Sequence, residues 1–119
     1  MLLLAAPLLA SACGSSASSG AHASHTPRPS AAAIAATCQK VADALADGPD
    51  PSVDPVGYAE AQVLPLHQIT TSDSSLHVAI DHLAAAYQTL FRDDGTKAAN
   101  AVVTAAAKQV EKFCPGRTS

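Results

Sequence analysis

Ser74-Ser-Leu-His-Val-Ala-Ile-Asp-His-Leu-Ala-Ala-Ala-Tyr-Gln-Thr-Leu-Phe-Arg92 is the stretch that decides the fold. Leu76, Ile80, Leu83, Tyr87 and Leu90 recur at steps of three and four, which lays them along one face of a helix, with Phe91 beside the seam. Thr71-Ser72-Asp73 supplies capping side chains in front of it, and Asp93-Asp94-Gly95 ends it. An apolar seam of this length has to be buried against other elements.

The flanking segments repeat the pattern. Downstream, Thr96 caps a run in which Ala99, Val103, Ala106, Val110 and Phe113 keep the helical step, with Pro115-Gly116 as a stop just after Cys114. At the other end, Ser30 caps a helix over Ala31–Asp47 whose stripe is Ile34, Cys38, Val41 and Leu45, ended by Gly48-Pro49. Between them, Pro49, Pro51 and Pro55 predict a stiff, extended connector. Asp54-Pro55 reopens a helix as cap and first residue, with Val56, Ala59, Val63 and Leu66 on one face. Pro65 lies inside that run, so a kink or break is expected near residues 61–64, with Leu66–Thr70 as a second short turn. No strand pattern is present. The expected class is all-α: a small four-helix bundle over residues 31–116 with one short proline-kinked helix, stapled by one disulfide.

The chain opens with Met1-Leu-Leu-Leu-Ala-Ala-Pro-Leu-Leu-Ala-Ser-Ala-Cys13. Its apolar run over residues 2–12 is far shorter than the roughly 20 residues a membrane-spanning helix needs. The run fits a secretory signal, expected to be removed as residues 1–12. Ala10-Ser11-Ala12 suits a conventional signal peptidase. Leu9-Ala10-Ser11-Ala12-Cys13 also resembles the lipobox of bacterial lipoproteins, with Ala10 where that family usually has Leu. The resemblance implies a lipid on Cys13 and anchoring at the outer face of the bacterial cell membrane. No Lys or Arg precedes the apolar run, so the natural start is expected upstream of Met1. Residues 13–30 then read as the lipidated cysteine and a flexible tether, rich in Ser, Gly, Ala and Pro. The high alanine content resembles that of exported proteins of high-GC Gram-positive bacteria.

A small alanine-rich domain with no Trp, two Tyr and two Phe has few large side chains for its core. Of the three cysteines, Cys38 and Cys114 remain once Cys13 is lipidated. In an oxidising compartment such a pair forms a disulfide. Closing the loop from residue 38 to residue 114 is worth about 4–5 kcal/mol in the chain-entropy account. The net charge of −3 is unevenly spread. Acidic residues dominate from Asp50 to Asp94, while Lys97, Lys108, Lys112 and Arg117 make the C-terminal part basic. The expected consequence is a last helix lying against an acidic middle. So sparse a basic tail is no nucleic-acid footprint.

The five histidines form no ligand motif. His22 and His25 fall in the tether. His77 and His82 are five apart, about 140° around a helix. Asp81 and His82 are neighbours that diverge by about 100° and make no dyad. No nucleophile elbow, phosphate loop or zinc-protease motif is present, and no metal site or resident cofactor is expected. The most distinctive internal stretch is residues 54–68, carrying Gly57, Tyr58, Glu60, Gln62 and His67 around the interrupted helix. It reads either as a ligand or partner site or as a packing device. The leading expectation is a non-enzymatic envelope lipoprotein that binds a protein or envelope component. The alternative is a small-ligand carrier, with haem the most testable cargo and Tyr58, His67 and His82 as candidate axial ligands.

Overall fold

The computed structural model describes residues 29–119, so residues 1–12, Cys13 and most of the tether lie outside the described residues. Four helices follow in order: α1 Ala31–Ala46, α2 Pro55–His67, α3 Ser74–Arg92 and α4 Lys97–Glu111. Among the described residues there is no strand. Each helix starts at a side chain that accepts a backbone N–H of its first turn: Ser30 from Ala33, Asp54 from Gly57, Asp73 from Leu76 and Thr96 from Ala99. Those bonds satisfy donors the helix itself leaves unpaired. α3 stops where Asp94 and Gly95 enter the left-handed region, at φ 52° and 75°. The Gly95 N–H there donates to the Leu90 carbonyl at 2.9 Å.

α3 is the middle of the bundle. It packs against α2 on one side and α4 on the other, while α1 meets α2 over a shorter stretch. All five seam residues of α3 are buried, and Leu76, Ile80 and Leu83 are completely so. Val41 from α1, Leu66 from α2 and Val110 from α4 complete the core. The stripe residues Ile34, Leu45, Val63, Val103 and Phe113 pack against its edge. Cys38 and Cys114 are disulfide-bonded with their Cα atoms 5.3 Å apart, joining α1 to the residues just after α4. Neither is therefore free to bridge to Cys13.

Two expectations need correction. α2 runs from Pro55 to His67 without a break, and Leu66 belongs to it, so no separate turn covers residues 66–70. Pro65 falls in the last turn, two residues before the helix ends, where little helix remains to be interrupted. The connector from residue 47 to residue 55 is likewise not extended. The Asp50 carbonyl accepts the N–H groups of Val53 and Asp54, and the Asp50 carboxylate accepts both the N–H and the hydroxyl of Ser52. Pro51, locked near the φ of a turn, favours this folding back. The Ser52 bonds also hold the Asp50 carboxyl below the ordinary carboxylate value. The last helix does lie against the acidic middle, since α4 packs on α3, but among the described residues no Lys or Arg pairs with a carboxylate there. Among the described residues, the ionic contacts found are those of His67 and His77 with Asp81. Lys112 and Arg117 instead bond to the amide oxygens of Gln109 and Gln39.

Candidate functional site

The distinctive 54–68 stretch is mostly occupied in holding α1. The last carbonyls of a helix have no partner within it. At the end of α1, the Tyr58 hydroxyl donates to the Leu45 carbonyl at 2.7 Å, and Gln62 Nε2 donates to the Asp47 carbonyl at 2.7 Å. Gln62 is completely buried, and its Oε1 has no hydrogen-bond partner. Gly48, at φ 100°, brings the connector onto these residues. A Cβ there would stand 3.1 Å from the Ala61 Cβ, tighter than most side-chain contacts. The Tyr58 ring meets Tyr87 edge-on, with centroids 5.8 Å apart and planes 77° apart. Burial raises the pKa of both phenols, and for Tyr87 the neighbouring Tyr58 adds to the effect. These groups stay neutral and act as hydrogen-bonding and packing groups.

The three candidate axial ligands face different neighbours. Tyr58 is turned to α1 and Tyr87. His67, the last residue of α2, lies with Nδ1 3.7 Å from Asp81 Oδ1. His77 approaches the same carboxylate from within α3, with Nε2 3.2 Å from Asp81 Oδ2. His82, next in sequence to Asp81, opens instead onto the face shared with α4.

That face carries the larger feature. Two open hollows of about 610 and 410 Å³ adjoin along the α3–α4 seam and share His82 and Gln109. Val78 and Phe113 border the first, and Val102 borders the second. Ala86 and Ala106, both buried, form part of the wall, and their short side chains leave the seam hollow. Val78 and Val102 are each 50% exposed, a large apolar exposure for helical valines in a domain with so few large side chains. His82 and Gln109 supply the polar groups. Sequence reasoning passes over this groove because alanine reads only as a helix former. The signal was the pairing of Ala85-Ala86 on one helix with Ala105-Ala106 on the next.

No known protein family, curated protein or solved structure matches this chain.

Proposed function

We propose that the chain is a non-enzymatic cell-envelope lipoprotein, held by a lipid on Cys13, whose α3–α4 groove takes an apolar helix of a protein partner. The observation that carries the reading is the groove itself. It is open, walled by alanines, flanked by half-exposed Val78 and Val102, and marked at its centre by His82 and Gln109. A helix laid into such a trough buries its apolar anchors, while two polar side chains fix its register. The lipobox-like Cys13 and the tether would hold the groove near the membrane but free of it.

The test is site-specific photo-crosslinking in intact membranes. A crosslinker at Val102 should give one discrete protein adduct that disappears when Ala105→Glu fills the groove with a charge. A crosslinker at Val53, on the connector, should not give it. The same bands from both positions, or an adduct indifferent to Ala105→Glu, would remove the proposal. Anchoring is checked separately, since Cys13→Ser should move the protein from the membrane to the soluble fraction.

A further inference from the structure

Resting on the groove reading above, we propose that the helices the α3–α4 groove takes belong to a second copy of this chain. The two copies pack face to face across a twofold axis, with α3 against α3 and α4 against α4 in antiparallel pairs. α3 carries a second seam beside its buried one. Ser75, Val78, His82, Ala85 and Thr89 are exposed and recur at alternating steps of three and four. Ala98, Val102, Ala105 and Gln109 do the same on α4. Such spacing belongs to helices that pack on other helices, yet these positions face solvent.

Two properties of the face point to a copy of itself. The first is charge. Neither hollow is lined by an Asp, Glu, Lys or Arg. Lys112 reaches Gln109 Oε1 at 2.9 Å but lines neither of them. In a chain of net charge −3, two copies can meet here without opposing like charges. The second is self-complementarity. The hollows lie on either side of the His82 and Gln109 they share, and each is bordered by one half-exposed valine. A twofold axis through that shared pair turns each hollow onto the other hollow of the second copy. Val78 of one copy then enters over Ala85 and Ala86 of the other, and Val102 lies over Phe113. His82 and Gln109 come to face their own copies. A neutral imidazole and an amide each carry a donor and an acceptor, so both can pair with themselves. The result is an antiparallel four-helix core. The face covers residues 75–89 of α3, about 21 Å in length, and two helices in width, about 20 Å. That footprint is at the small end for a specific pair. The pair therefore forms where copies tethered to one membrane meet at high effective concentration.

The test is crosslinking in intact membranes, with two copies of the full chain expressed together under different C-terminal epitope tags. A photo-crosslinker at Val102 should give an adduct of twice the chain mass that carries both tags. Ala105→Glu in both copies should cut its yield at least about tenfold. Position 105 is exposed, so this variant should keep the parent's helical circular dichroism. A residue on a twofold axis meets its own copy, so His82→Cys should form a disulfide-linked pair under mild oxidation. Val53→Cys, 81% exposed on the connector, should not. A Val102 adduct of any other mass that is lost in Ala105→Glu would overturn the second copy and leave the groove reading standing. No adduct at Val102 would remove both. Equal pairing of His82→Cys and Val53→Cys would overturn the twofold arrangement.

Discussion

α3 and α1 are of similar length, yet they are held in opposite ways. α3 buries Leu76, Ala79, Ile80, Leu83, Ala84, Ala86, Tyr87 and Leu90 between two neighbours. α1 buries Thr37, Cys38, Val41 and Ala44, of which only Val41 is a sizeable aliphatic. Apolar burial keeps α3 in place. α1 relies on a covalent bond at Cys38 and on two hydrogen bonds donated by Tyr58 and Gln62 to its C-terminal end. An alanine-rich helix can have strong helical propensity and little to bury. The chain makes up that deficit from outside the helix.

The sharpest way to break this contrast is to remove the staple. The double variant Cys38→Ala/Cys114→Ala should lose about 4 kcal/mol in denaturant unfolding, the largest effect of any single element. Amide exchange should rise first in α1, with α3 still the best-protected helix. Equal loss of protection in both would show that α1 is not held separately. Leu83→Ala tests the other side. A completely buried leucine in the central helix should cost about 3 kcal/mol. Its loss should lower protection of all four helices together, because α2 and α4 both pack on α3 and α1 packs on α2.

Smaller changes sharpen the picture of how α1 is held. Tyr58→Phe keeps the ring against Tyr87 but removes the bond to Leu45, and should cost about 1 kcal/mol in the same unfolding measurement. Exchange at the end of α1 should accelerate, while α4 is left as it was. The smallest effect lies in the C-terminal tail. Glu111 accepts bonds from the Thr118 hydroxyl and the Gly116 N–H, and these, Thr118 first, hold its carboxyl below the ordinary glutamate value. A depressed folded value stabilises the docked tail above the unfolded pKa, and that stabilisation is lost as pH falls through the folded one. The Gly116 amide signal should therefore move toward its unstructured position on acidification below about pH 4.5. Glu111→Gln should remove that dependence.

Much of the fold could be read residue by residue. Ser30, Asp54, Asp73 and Thr96 were identifiable as caps because capping is a local bargain between one side chain and the next turn. The α3 seam was legible because its period is helical and its residues large. The disulfide followed from the cysteine count and the expectation of an oxidising compartment. The break expected at Pro65 is absent because a proline's effect depends on how much helix follows it, and only Leu66 and His67 do. Three prolines stiffen a chain and so suggest an extended connector, but the bonds of Asp50 with Ser52, Val53 and Asp54 turn it back.

The candidate sites were less legible, since each depends on side chains brought together from different helices. The α3–α4 groove exists because alanines on two helices face each other, a fact absent from either segment alone. His67 meets Asp81 only because α2 and α3 pack side by side. Gln62 sits in the core because the carbonyl of Asp47 lies above it. Local chemistry, namely period, caps, stops and cysteine count, determined four helices and their staple from the sequence by itself. Which helix became the centre, which polar groups were buried, and where a groove and a histidine–aspartate cluster opened were decided by tertiary packing. Those properties depend on distances between residues far apart in the chain, and such distances arise only when the apolar faces close on one another.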